Sequence, residues 1–247
     1  MHHTPAWSED VATATFEDIA PVTDGILTIQ NNHFIPRLDF RLYTAAVMAT
    51  DIQRASISTP TLRQLSPPFM RPVMAGLVPT SPAQIALWDR NPLRLLKEEE
   101  VTIEALHDAG VNQRITIGQT WMHQFQATPA GDIITMRGTS TSTATANAWT
   151  QLTMTWADTL PQGRYAVVGM VHFSANAQLA RCILEQEFYR PGSVSISDLG
   201  NAGHPIFRMG GLGQWGFFNS YAMPNIEALC NGADATHEVY LDFVRVG

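Results

Sequence analysis

Lysine is almost missing from this chain: Lys97 stands alone against fourteen arginines. Charge of either sign is scarce too, at 15% of 247 residues. Soluble domains usually carry roughly 25%, so much of this surface must be uncharged and suited to burial against partners. The first 36 residues hold no Lys or Arg but do hold Glu9, Asp10, Glu17, Asp18 and Asp24, which opposes a basic arm gripping phosphates. The arginines further on are spaced singly beside acids and the net charge is −7. Direct sequence-specific nucleic-acid binding is therefore not expected. No apolar run approaches the roughly 18 residues of a membrane span, and Met1 to Phe16 lacks the basic and greasy regions of a signal peptide, so neither is expected. Two cysteines, Cys182 and Cys230, lie 48 positions apart. They are too few for a disulfide framework and fit no paired zinc-ligand spacing, so both read as buried small hydrophobes.

What is present is a 45% hydrophobic chain, long enough for one large core or two modest ones. Its readable periodicity is mostly two. In Arg37 to Leu42, Leu38, Phe40 and Leu42 alternate with Arg37, Asp39 and Arg41, and the apolar Ala45 to Met48 follows. In Arg181 to Phe188, Cys182, Leu184 and Phe188 share a face opposite Arg181, Glu185 and Glu187. Tyr165 to Phe173 is continuously apolar, and Val239 to Val246 is β-branched and aromatic; both read as buried strands. Gly25 to Gln30, Arg114 to Phe125, Ile133 to Arg137 and Gln151 to Trp156 are further strand candidates. Turn signals separate them at Pro67-Pro68, Pro129 to Asp132, Pro161 to Gly163, Pro191-Gly192 and Asn231-Gly232. Thr80-Ser81-Pro82 predicts a short helix through Trp88, stopped by Pro92. Lys97 to Leu106 suits either a helix or a strand.

The chain also repeats itself faintly. Ile103-Glu104-Ala105-Leu106 returns as Ile226-Glu227-Ala228-Leu229, an offset of 123. Arg41-Leu42-Tyr43 and Arg164-Tyr165-Ala166, each with an apolar run, share that offset, and Arg71-Pro72 matches Arg190-Pro191 at 119. Landmarks kept in one order imply a duplicated β unit of about 115 to 125 residues with seven or eight strands, the size of one jelly roll. The expected fold is all-β, two tandem jelly rolls with a few short helices in loops. Residues 1–15 would form a flexible acidic arm, 16–126 the first jelly roll and 127–247 the second. In this duplicated architecture and size the chain resembles the double jelly-roll major capsid proteins of tailless icosahedral viruses. That resemblance implies a homotrimer whose six barrels make a pseudo-hexagonal capsomer, tiled beside neighbouring capsomers and vertex proteins into a virion shell, often over an internal membrane.

Motifs for other functions are weak. Gly211-Leu212-Gly213-Gln214-Trp215-Gly216 fits the dinucleotide pattern, but a poor strand, His204 to Met209, precedes it and no amphipathic helix follows at Asn219 to Pro224. The expectation is a glycine-rich corner over Trp215, Phe217 and Phe218. His2-His3 falls in the expected arm, while His33, His107, His123, His172, His204 and His237 are scattered. His172 alone begins a cupin-like ligand pattern, and Ser174 stands where its partner should be. Glu98-Glu99-Glu100 reads as a solvated face or loop, and Thr139 to Thr145 as a polar strand or exposed loop. No nucleophile elbow or phosphate loop occurs. No catalytic, cofactor-binding or metal residues are assigned and no cofactor is implied. The competing readings are a jelly-roll carbohydrate-binding module or lectin, using Trp88, Trp121, Trp149 or Trp215 in an exposed row, and a cupin-like or glycan-cleaving enzyme.

Overall fold

The computed structural model describes residues 2–11, 15–22, 32–43, 53–65, 69–72, 84–88, 90–107, 113–124, 126–184, 190–195 and 212–247. Among these lie nineteen strands and one six-residue helix, so the chain is all-β. It divides into two compact units, Pro5–His123 and Met1–Thr4 with Gln124–Gly247. The short strand β1 (His2–His3) belongs to the second.

The first unit holds β2 (Ala6–Val11), β3 (Glu17–Asp18), β4 (His33–Tyr43), β5 (Gln53–Ser58), helix α1 (Pro60–Leu65), β6 (Phe69–Pro72), β7 (Gln84–Leu87), β8 (Leu93–Leu95), β9 (Thr102–His107) and β10 (Gln113–Met122). One sheet runs β2-β10-β4-β7, with β8 also on β4; the other runs β3-β9-β5-β6. All the pairings are antiparallel. The chain thus crosses between the sheets at most steps, β5 and β6 staying in one and β7 and β8 in the other, and pairs the first strand of this unit with its last, the jelly-roll order. Inside sit Trp7, Ile35, Ile57, Ile103, Ile115 and Trp121 with smaller aliphatics. Pro36, which has no N–H to give a ladder, lies where the β4–β10 register shifts, and its carbonyl accepts from Trp88 N–H at 2.6 Å.

The second unit repeats the scheme with β11 (Ile133–Ser140), β12 (Trp149–Leu152), β13 (Thr155–Trp156), β14 (Arg164–Phe173), β15 (Ala177–Ile183), β16 (Gly192–Val194), β17 (Gly216–Asn219), β18 (Asn225–Cys230) and β19 (His237–Arg245). Its sheets are β13-β11-β19-β14-β17 and β12-β18-β15-β16. Apart from the added edge strand β13 and, in the first unit, the short strand β8 on β4, this order is that of the first unit position for position among the described residues. The apolar run of β14 is explained by its place: it lies between β19 and β17 and is buried on both faces. Its register shifts between Val167 and Gly169, a bulge that absorbs one extra residue. Tyr165, Phe218 and Phe243 pack as a stack and two edge-to-face pairs with centroids 5.4 to 5.5 Å apart.

The repeated landmarks fall on equivalent strands. The two Ile-Glu-Ala-Leu copies are in β9 and β18, Arg41 and Arg164 are in β4 and β14, and Arg71-Pro72 is in β6 while Arg190-Pro191 leads into β16.

Several sequence expectations are corrected. Part of the expected arm is strand: β2 pairs with β10, and Ala6, Trp7 and Val11 are buried. The acidic residues misled there, because Glu9 is half-buried and Asp10 exposed on a strand whose Ala6, Trp7 and Val11 are buried. The helix expected through Trp88 is strand β7 at Gln84–Leu87. The described helix starts instead at Thr59-Pro60, where Thr59 Oγ1 accepts Leu62 N–H at 3.1 Å as an N-cap with proline at the first helical position. Lys97 to Leu106 becomes strand from Thr102, and Gln151 to Trp156 splits into β12 and β13. Gly25 to Gln30, Ala45 to Met48, Pro67-Pro68, Thr80 to Pro82, His204 to Met209, and the Glu185, Glu187 and Phe188 end of its strand lie outside the described residues.

Candidate functional site

Chemistry-bearing side chains gather in three places. The first is inside the second unit. His172 on β14 and His237 at the start of β19 both face the core, their rings stacked 5.4 Å apart. His172 Nδ1 hydrogen-bonds Ser195 Oγ at 2.8 Å, and its Nε2 meets His237 Nδ1 at 3.3 Å. His237 Nε2 in turn reaches the Asp234 carbonyl at 3.2 Å. Burial, reinforced by the neighbouring imidazole, pushes the His172 pKa down to about 3, so the ring is neutral near pH 7. Burial alone would raise the Asp234 carboxyl. Hydrogen bonds from Ser174 and from the Asn176 and Thr236 N–H groups outweigh it and hold that group below the usual carboxylate range. Ser195, His172 and His237 are all buried. A serine hydrogen-bonded to a histidine has the look of an activated nucleophile, yet no substrate atom can reach one sealed between two sheets. Among the described residues no group of three His, Cys, Asp or Glu is placed to hold a metal.

The second place is the other side of the β12-β18-β15-β16 sheet. Arg181 on β15 lies in register with Glu227 on β18, and its Nε donates to Glu227 Oε2 at 2.7 Å. Arg190 Nη1 donates to both Glu227 oxygens at 2.9 and 3.0 Å. The Arg181 guanidinium lies 3.8 Å from the Trp149 ring centroid, and its Nη1 contacts the Thr4 carbonyl at 3.4 Å. The Arg181 side chain is 0% exposed, so two guanidinium groups hold one carboxylate out of water. Around them Thr4 N–H donates to Arg190 O and Gly192 N–H to Thr4 Oγ1, both at 2.8 Å, and His3 Nδ1 accepts Arg190 N–H at 3.1 Å. His2 and His3, expected in a loose arm, are therefore buried, and desolvation pushes His2 down to about 3.

The third is a cavity of about 400 Å³ in the first unit, lined by Trp7 and Trp121 and by Glu9, Asp18 and Glu100. It is acidic and part aromatic, but both indoles are only 3% exposed and neither offers a free ring face for a sugar. Trp215 is buried as well, and Trp88, Trp149 and Trp156 are half-buried, so the row of exposed tryptophans that a lectin needs is absent from the described residues.

The other motifs resolve as packing. The glycine-rich hexapeptide, of which Gly211 lies outside the described residues, leads into strand β17 and not a helix. Gly213 has φ of +75°, and a Cβ there would fall 1.7 Å from the Gln126 carbonyl oxygen, so only glycine fits. Trp215 and Phe218 are buried beside it and Phe217 is half-buried. Glu98 pairs with Lys97 at 3.0 Å, while Glu99 accepts the Leu96 and Thr61 N–H groups at 2.6 and 2.7 Å. That glutamate is a loop clasp where a solvated charge was expected. Cys182 and Cys230 are free and buried; desolvation raises the first thiol and pushes the second up to about 12. Sequence reasoning missed Arg181 as a buried charge. Its alternation with Cys182 gave the correct face, and nothing local signals that the face is covered.

No family model and no curated protein sequence matches the chain. Among solved structures, the crystal structure of the major capsid protein P2 from bacteriophage PM2 aligns over 100% of this chain and 98% of that one, at 13% identity and a TM-score of 0.27.

Proposed function

We propose that this chain is a structural virion protein, a self-assembling major capsid subunit. One observation carries the reading: both units deal their strands into the same two jelly-roll sheets, β2-β10-β4-β7 with β3-β9-β5-β6, and β11-β19-β14-β17 with β12-β18-β15-β16. Two such units in one chain are the duplicated architecture on which the resemblance to the double jelly-roll capsid proteins of tailless icosahedral viruses rests. The side chains support it from the other direction. The histidine–serine cluster is sealed inside a sandwich and the Arg181–Glu227–Arg190 cluster is locked in ion pairs, and the charge-poor composition suits burial against copies of itself. On this reading three chains form a pseudo-hexagonal capsomer, and its partners are neighbouring capsomers, vertex proteins and an internal membrane. No described helix is long and apolar enough to cross a bilayer.

Light scattering coupled to size exclusion, with negative-stain images of the eluate, tests this. The expected species is a trimer of about 80 kDa from chains of 27.2 kDa, or larger shells. A chain that stays monomeric at high concentration would overturn the proposal.

A further inference from the structure

The Asn231-Gly232 turn carries a chemistry that neither the fold nor the capsid reading uses. Of the chain's ten asparagines, Asn231 alone precedes a glycine. The pair is half-buried in the connection from β18 to β19, and the next residue, Ala233, is exposed. Its backbone is held while its side chain is not. Asn231 N–H donates to the Asn176 carbonyl at 3.1 Å, and the Cys230 carbonyl before it accepts Asn147 N–H at 2.6 Å. The Asn231 side-chain amide is screened from water at both Oδ1 and Nδ2, yet neither atom has a hydrogen-bond partner. Folded chains rarely leave a buried amide so, and no hydrogen bond fixes its rotation. Asn176 in the facing turn differs, since its Nδ2 donates to the Ala233 carbonyl at 3.2 Å.

Gly232 offers that amide a backbone nitrogen with no side chain beside it. Packing does not demand a glycine there: a Cβ would meet nothing nearer than the Asn176 side chain at 3.8 and 3.9 Å. Nor does the backbone, because the glycines with positive φ are Gly131 and Gly213 among the described residues.

We propose that Asn231 is a self-modification site, at which the folded chain converts the asparagine to aspartate or isoaspartate through a cyclic imide with Gly232. The Gly232 amide nitrogen, on losing its proton to hydroxide, attacks Asn231 Cγ. The new C–N bond closes the imide and the Cγ–Nδ2 bond breaks, releasing ammonia. Water then opens the imide. Cleavage between the nitrogen and Cγ gives aspartate, and cleavage between the nitrogen and the backbone carbonyl carbon gives isoaspartate, whose main chain runs through the side chain. One water is consumed, one ammonia leaves, and nothing is oxidised or reduced. The reaction needs no second copy, so it stands or falls independently of the capsid reading.

Either product places an acid where an amide was shielded from water, in a connection that already holds Asp234. That residue clasps this end of the second unit: its carboxylate accepts the Ser174 hydroxyl and Asn176 N–H, and its carbonyl accepts Ala144 N–H at 2.7 Å. A second carboxylate in the same connection works against the clasp, as does the backbone atom that isoaspartate adds. The modification should therefore loosen, with time and in one direction, the end where β14 turns into β15 and β18 leads to β19.

The test is peptide mapping by mass spectrometry, with fragmentation to place the mass gain, on the folded full chain held for days in mildly alkaline buffer. In the parent, position 231 should deamidate about tenfold faster than any other asparagine, and Gly232→Ala, whose Cβ obstructs the attack, should slow it about tenfold. The reaction should also slow in mildly acidic buffer, where the nitrogen keeps its proton. Circular dichroism melts check that Gly232→Ala folds. A position 231 no faster than Asn147 or Asn219, or a folded Gly232→Ala that reacts as fast as the parent, overturns the proposal. Should Gly232→Ala misfold, the parent is compared with itself in urea: reaction in the folded chain supports the site, and reaction only in the unfolded chain overturns it. Asn231→Asp installs one product directly. It should lower the urea midpoint and speed hydrogen exchange of the Asn176 and Ala144 N–H groups, and unchanged values would overturn the loosening.

Discussion

Glu104 and Glu227 occupy the same position in the same tetrapeptide on equivalent strands, yet they live in different surroundings. Glu104 is half-buried on β9 and lies in register with Asp18 on one side and Ser56 on the other. Glu227 on β18 is buried opposite Arg181, with Arg190 closing over it. The flanking apolar positions do not differ: Ile103 and Ala105 face one core, in register with Ile57 and Ala55, and Ile226 and Ala228 face the other, in register with Cys182 and Ala180. The repeat therefore preserves the inward half of a strand, where volume is constrained. The outward half is free to diverge, and in the second barrel it has become an ion-paired layer.

Breaking that layer should have the largest effect. Glu227→Ala leaves Arg181 buried without its carboxylate and should lower unfolding free energy by about 3 to 5 kcal/mol in urea titrations. Glu104→Ala should stay within about 0.5 kcal/mol, because it removes a partly solvated charge facing another acid. Equal losses in the two would mean that the outward faces are not differentiated. The histidine pair sharpens the contrast through pH. His172 is held neutral in the fold down to about pH 3 and titrates near 6.5 when unfolded. Between those limits the unfolded chain binds the extra proton, so stability must fall as pH falls, by up to about 1.4 kcal/mol per pH unit. His172→Gln should flatten that slope by one proton; an unchanged slope assigns acid sensitivity to other groups, such as Asp234 or His2. Tyr165→Phe should have a smaller effect than breaking the ion-paired layer. It keeps the aromatic triad but removes the hydroxyl that donates to the Pro161 carbonyl at 2.8 Å, and should cost about 1 kcal/mol in the same titration.

Much of the fold was legible in the sequence because burial writes a period onto strands. Tyr165 to Phe173 and Val239 to Val246 announced buried strands, and the ordered landmarks announced two equivalent units. Trp7 and Val11 were not legible, since the acids between them resemble a solvated tail until β10 is seen beside them. Ser-Thr-Pro signals proved ambiguous: Thr59-Pro60 starts a helix that the pattern at Ser81-Pro82 was expected to supply. The candidate sites were less legible still. His172, Ser195, Asp234 and His237 are separated by up to 65 positions, and Arg181 and Glu227 by 46, so only folding brings them together.

The contact between Thr4 and Gly192 spans 188 residues. While the chain is being synthesised, its fourth residue is available long before its partner exists, and the whole first barrel is made in the interval. Closing so long a loop costs entropy that local strand pairing does not, so this tie should form after both sandwiches have condensed. Until then the Arg181 guanidinium lacks the carbonyl that later abuts it. The second barrel should thus acquire this fastening late, and hydrogen exchange at residues 2–4 would report whether it has formed.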